Sequence, residues 1–281
     1  MDRHNRRHFI QFAGLGAAAC GGAISGGGIA GPILSAAADK PFQLGMASYT
    51  FREFPLDQAL AMTRRLGLKR IAFKDMHLRL DSTPSQMAVV LAKVKEAGLD
   101  LYGGGVIYMR SEADVNQAFE YAKAAGMRII IGVPDHELLE LANKKVKEYD
   151  IKLAIHNHGP GDKVYPTPES AYKRIENFDP RIGLCMDLGH TQRSGVDPSD
   201  AAARYADRLL DVHVKDVSEA SAKGNTVEIG RGVIDIPRFL RTMQKINYRG
   251  TLSLEYEKDS KDPLPGSAES IGYLRGVLSV V

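Results

Sequence analysis

Residues 128–158, RIIIGVPDHELLELANKKVKEYDIKLAIHNH, decide the fold class. RIIIGV (128–133) is a continuous apolar run of strand length. DHELLELANKKVKEYD (135–150) has helical length and opens on an aspartate, a favoured helix start. IKLAIHNH (151–158) is a second apolar run. An apolar strand, a helix and another apolar strand form one unit of a parallel sheet covered by helices.

Six further strands extend the pattern. They are expected at FQLGMAS (42–48), RIAFKD (70–75), LDLYGGGV (99–106), IGLCMD (182–187), LLDVHVKD (209–216) and TLSLEYE (251–257), in addition to 128–133 and 151–158. Helices are expected at 55–67, 83–98, 111–126 and 135–150. Several of them end in glycine, and apolar residues recur at three- and four-residue intervals, as at Val115, Phe119 and Ala122. Eight β-then-α units in about 240 residues give the count and length of a single (β/α)8 barrel, a TIM barrel of the α/β class. The alternative is a doubly wound open sheet. It calls for a glycine-rich dinucleotide fingerprint after the first strand, and GMASYTFRE (45–53) supplies none.

Residues 1–38 are set apart. Arg6-Arg7 precedes a run of Ala, Gly, Leu and Ile that ends in Ala36-Ala37-Ala38, which reads as a twin-arginine export signal cleaved near Ala38. The competing readings are a membrane anchor and a lipidated Cys20. The segment is weakly apolar, and no Leu stands three residues before Cys20. The expected mature chain, 39–281, is one domain in the periplasm or otherwise exported, with no stable membrane insertion once the signal is removed.

The whole chain has 281 residues, 37 Lys and Arg against 34 Asp and Glu, and a formal net charge of +3. Residues 1–38 hold three of the arginines and one aspartate, so the remainder carries 34 basic against 33 acidic groups. That balance gives no electrostatic case for nucleic acid or an anionic membrane. Cys185 is the single cysteine after residue 38, so no internal disulfide forms there. Its expected role is that of a small buried hydrophobe. Oligomeric state is not legible.

All six histidines beyond the leader, His77, His136, His156, His158, His190 and His213, fall at or just after the C-terminal end of an expected strand. In a barrel those ends converge on the face where active sites are built. Asp75, Asp187, Asp216, Glu255 and Glu257 lie at the same level. Imidazoles with carboxylates suit one divalent transition ion, such as Mn, Co, Zn, Ni or Fe. Strand alternation turns His156 and His158 to one face and Asn157 to the other. Glu255 is the better ligand, and Glu257, further out, is read as a rim charge. Tyr49, Phe51, Tyr102 and Tyr108 are candidates to stack on a sugar, with core packing expected for at least half of them.

CMDLGH (185–190), DVHVKD (211–216), EIGRGVIDIP (228–237) and LSLEYE (252–257) occur in that order on the last three expected strands. They resemble the sugar phosphate isomerase/epimerase family of xylose-isomerase-like TIM barrels. The resemblance implies one divalent ion held by Asp187, His213 and Glu255. It also places His190 beside the substrate. Arg231 is a candidate substrate contact or a loop-stabilising charge, and Lys215 and His77 complete the expected substrate-binding set. Where relatives often carry E-N-H at the end of strand five, this chain reads His156-Asn157-His158. His156 thus takes the place of the first glutamate ligand, and a symmetrical pair of carboxylate bases is lost.

The leading expectation is metal-dependent isomerisation or epimerisation of a small carbohydrate, by proton abstraction next to a carbonyl with enediolate stabilisation. Glu255, His158 and His190 are the catalytic candidates. The alternative is a lyase, dehydratase or hydratase acting on a keto-sugar or 3-keto-glycoside. The third reading is a non-catalytic carbohydrate-binding barrel. No glycine-rich phosphate cradle argues for a phosphorylated substrate.

Overall fold

The structure, a computed structural model, describes residues 42–281. The expected export signal lies outside the described residues. Eight parallel strands close into a barrel: β1 (Gln43–Ala47), β2 (Arg70–Phe73), β3 (Asp100–Met109), β4 (Ile129–Pro134), β5 (Lys152–His156), β6 (Ile182–Asp187), β7 (Leu209–Val214) and an eighth strand, Thr251–Leu254. The eighth strand pairs with β7 on one side and β1 on the other, which closes the ring. All eight expected strands are present and the open-sheet alternative is excluded. No described helix is long and apolar enough to cross a membrane.

Helices form where their starts and stops are chemically marked. Thr83 caps the helix Pro84–Glu96 in a capping box with Gln86, and Thr167 does the same for Pro168–Ile175 with Ser170. Gly98 and Gly126 follow two of the helices at φ of +63° and +67° with no heavy atom near a would-be Cβ, so the left-handed turn alone calls for glycine there. The helix after β4 begins later than its sequence suggests. His136–Leu138 form a 3-10 turn before Leu139–Tyr149, and His136 Nε2 is hydrogen-bonded to the Val164 carbonyl.

Two layers of side chains inside the barrel place the site. Strand alternation sends every second residue inward. On β5, β6, β7 and the eighth strand, Ala154, Cys185, Asp211 and Ser253 occupy the lower layer. His156, Asp187, His213 and Glu255 stand two residues further along. The lower layer is filled: Tyr102 reaches across from β3, its hydroxyl 2.6 Å from Ser253 Oγ and 3.2 Å from Asp211 Oδ2. The upper layer therefore rests on a packed floor.

Asp216, read from sequence as an acid of the rim, is instead a loop anchor. Its carboxylate accepts from the backbone N–H groups of Val217, Gly230, Gly232 and Ile234, at 2.9 to 3.3 Å, and so folds the EIGRGVID segment against β7. Asp216→Ala removes all four acceptor contacts from a buried position. It is expected to lower the unfolding free energy by about 3 kcal/mol in urea denaturation.

Candidate metal centre

His156, Asp187, His213 and Glu255 are all buried, and one ligand atom from each lies within 4.8 Å of the others. His156 Nε2 is 3.1 Å from His213 Nδ1 and 3.7 Å from Asp187 Oδ2, and His213 Nδ1 is 3.2 Å from Glu255 Oε2. Asp187 is held from both sides. Its Oδ1 accepts from the His190 N–H at 2.7 Å, capping the helix Leu188–Arg193, and its own N–H donates to Asn157 Oδ1 at 3.1 Å. Asn157, which alternation turned away from the cavity, also donates to Thr191 Oγ1 and thereby ties the end of β5 to that helix.

The donor set fits a divalent transition ion. Asp187 Oδ2 is buried with only the Lys215 ammonium, at 3.0 Å, as a charged neighbour closer than His156, and two imidazole nitrogens face each other at a separation usual for ligands sharing one centre. Burial, reinforced by His213 and His158, lowers the pKa of His156 well below that of free imidazole, so its lone pair is available. Burial likewise lowers His158 and His190. Burial would raise Glu255, but His213 and Lys215 outweigh it and hold the carboxyl well below the usual range. His213 moves the other way. Burial opposes its charge, yet the Cys185 sulfur and Glu255 outweigh that and raise it. Burial pushes the Cys185 thiol itself up to about 12, so it stays neutral and Glu255 is the partner that counts.

A cavity of about 270 Å³ opens above the cluster, walled by Tyr49, Lys74, Val106, Tyr108, His156, His158, His190, Glu255 and Glu257. His158 sits at its rim with Nε2 3.0 Å from the Tyr108 hydroxyl, the two rings stacked 5.6 Å apart. The His156 ring lies 4.6 Å from that of His158 and 6.0 Å from that of His190. A larger hollow of about 550 Å³ around Glu228, Asp259, Asp262 and Glu269 contains no imidazole.

The structure thus brings together the four expected ligands with His158 and His190. It does not bring in two expected substrate contacts, His77 and Arg231. Both ring nitrogens of His77 are engaged, Nδ1 with Ser48 Oγ at 2.9 Å and Nε2 with the Phe54 carbonyl at 3.0 Å, so this histidine fastens the loop after β1. Arg231 forms a two-pronged ion pair with Glu269 on the exterior, which is the loop-stabilising role. Lys215 is brought to the cluster itself: it is 2 % exposed, is not among the residues walling the cavity, and holds its ammonium against Asp187, Glu255 and Glu257.

Of the four aromatic candidates, Tyr49 and Tyr108 line the cavity, whereas Phe51 and Tyr102 are buried packing residues. Sequence reasoning passed over Lys74, whose ammonium donates to the Val106 carbonyl at 2.6 Å. It comes directly after the last residue of β2, so the strand-end rule that found the histidines also marks it. Glu257 is more than a rim charge, since it accepts from Lys215 at 2.8 Å.

The chain belongs to the xylose isomerase-like TIM barrel family, whose model matches residues 55–277. Among curated proteins it is similar to the rhizopine catabolism protein MocC of Rhizobium meliloti, with 30% identity over 152 residues, 49% of this chain and 46% of that protein. It is also similar to the inosose dehydratase of Clostridium tetani, with 31% identity over 138 residues, 43% of this chain and 45% of that protein. The matched stretch spans about half the length of these curated relatives. Among solved structures, a D-tagatose 3-epimerase-like protein superposes with a TM-score of 0.71 at 16% identity, covering 85% of this chain and 98% of that one. An uncharacterized protein from Parabacteroides distasonis gives 0.67 at 23% identity, covering 84% and 99%. At these identities the structural likeness is one of fold.

The geometry predicts two outcomes. Asp187→Ala and His213→Ala are each expected to abolish stoichiometric binding of Mn²⁺ or Zn²⁺ in calorimetry, and stoichiometric uptake by either variant removes that residue from the ligand set. Because the raised His213 must lose its proton to become a ligand, affinity is expected to rise with pH, with the rise continuing above the ordinary imidazole range. About one proton should be released per ion, measured by repeating the titration in buffers of different ionisation enthalpy.

Proposed function

We propose that this protein is a metal-dependent enzyme that removes the proton next to a carbonyl in a small unphosphorylated keto-sugar or cyclic polyol ketone and expels a leaving group from the adjacent carbon. The observation that carries this reading is His156, an imidazole where the resemblance calls for a carboxylate, in a four-donor cluster that opens on a cavity of monosaccharide size. A divalent ion bound there would act as a Lewis acid on the substrate carbonyl. Glu255, ionised and facing the cavity, takes the α-proton. His158, with its Nε2 against the Tyr108 hydroxyl, and His190 are the cavity's remaining proton carriers. Burial lowers both, so either must first take up a proton in order to pass it to the departing oxygen.

The sequence ranks isomerisation first; elimination is preferred here for the chemistry of the site and the names of the relatives. Exchange between two equivalent carboxylates is not available, whereas elimination needs one base and one acid of different character. The dehydratase names of the curated relatives at about 30% identity support the same direction. Epimerisation is the second reading, favoured by one feature. Glu255 and His158 both line the cavity and come from different strand ends, those of the eighth strand and of β5, so two candidate bases reach it from separate elements. The twin-arginine reading of residues 1–38 adds that the enzyme works outside the cytoplasm. Cell fractionation is expected to recover a mature chain beginning after Ala38.

NMR in deuterated water with Mn²⁺ separates the reactions, with an inosose and a 3-keto-glucoside as substrates. An unsaturated product or a released aglycone is the expected result. A deuterated sugar of unchanged formula replaces elimination with isomerisation, and the absence of both product and exchange leaves the binding barrel. Glu255→Gln should slow solvent exchange at the α-carbon by about 10³-fold.

A further inference from the structure

Among the described residues, Lys215 is the lysine buried between the ligand carboxylates. Its ammonium lies 3.0 Å from Asp187 Oδ2, 2.9 Å from Glu255 Oε2 and 2.8 Å from Glu257 Oε1. The first two oxygens are the same atoms that face His156 Nε2 and His213 Nδ1 in the donor cluster. Asp187 has no spare oxygen to divide between two cations, because Oδ1 is committed to the His190 N–H. Two cations drawing on the same oxygens, with water excluded, repel each other strongly.

The third carboxylate differs. Glu257 is outside the donor cluster, its side chain is 30% exposed, and it lines the cavity. The lysine stem is confined, since a Cβ at position 189 would come within 2.8 Å of Lys215 Cγ and 2.9 Å of Cδ. Gly189 makes the room that the stem occupies, and the ammonium end is the part with an alternative partner.

We propose that Lys215 is the built-in counter-cation of this site: it compensates Asp187 and Glu255 in the ion-free protein and retreats onto Glu257 when a divalent ion binds. The inference rests on the metal reading above and adds a residue that opposes the ion. A lysine that merely orients ligand carboxylates would act with the opposite sign, because losing such a partner typically weakens metal affinity about 10- to 100-fold. Glu257 is the other half of the device, since it sets how readily the ammonium gives way.

Calorimetric titration with MnCl₂ and thermal melts of the purified protein, Lys215→Met and Glu257→Gln test it. In Lys215→Met the ion-free protein is expected to melt below wild type and to regain more on adding Mn²⁺ than wild type does. Its Kd should be about tenfold tighter. In Glu257→Gln the ammonium has nowhere to retreat, and Kd should be about tenfold weaker. Weaker binding in Lys215→Met, or a shift of Kd in the same direction in both variants, overturns the proposal. Should Lys215→Met fold only with Mn²⁺ present, that dependence is itself the expected behaviour, and the sign of the Glu257→Gln shift decides. A wild-type protein that takes up no Mn²⁺ overturns the metal reading and the inference together.

Discussion

Asp187 and Glu255 are two carboxylates buried within 4.8 Å of one another, and the rest of the site is shaped by the need to keep both ionised. Two uncompensated charges at that depth would each cost several kcal/mol. The barrel answers with Lys215 between them, the neutral imidazoles of His156 and His190 close by, and a helix N-terminus directed at Asp187. The packed floor of Tyr102, Asp211 and Ser253 stops the cluster from relaxing downward, so the donor atoms remain convergent.

Strand alternation explains why so much of this was legible in the sequence. Continuous apolar runs can be read as barrel strands without any knowledge of their neighbours. A residue two places beyond an inward small residue faces the same interior, which is how Cys185 leads to Asp187 and Ser253 to Glu255. The features that could not be read depend on partners distant in sequence. Nothing near His77 shows that Ser48 and the Phe54 carbonyl will claim both its nitrogens. Nothing in GRG shows that Arg231 will turn outward to Glu269. Asp216 belongs to the same class, because its four backbone donors arise only once the loop after it folds back.

Replacing a carboxylate by His156 alters two properties of the site at once. The ligand set carries one negative charge fewer than the pattern it resembles, and the end of β5 offers the cavity imidazoles rather than a carboxylate. Imidazole ligands favour the later transition ions over magnesium. In the proposed reaction both changes would leave the first step, removal of the proton next to a carbonyl, in place. They would alter the fate of the enediolate that step forms, which is why the family assignment and the reaction outcome are separate questions for this chain.

Whether these four side chains form a single metal centre is decided by anomalous diffraction from crystals grown with Mn²⁺. One strong anomalous peak is expected within about 2.0–2.4 Å of His156, Asp187, His213 and Glu255. A barrel with no anomalous peak at this cluster, or an ion held instead by other residues, would contradict a single centre there.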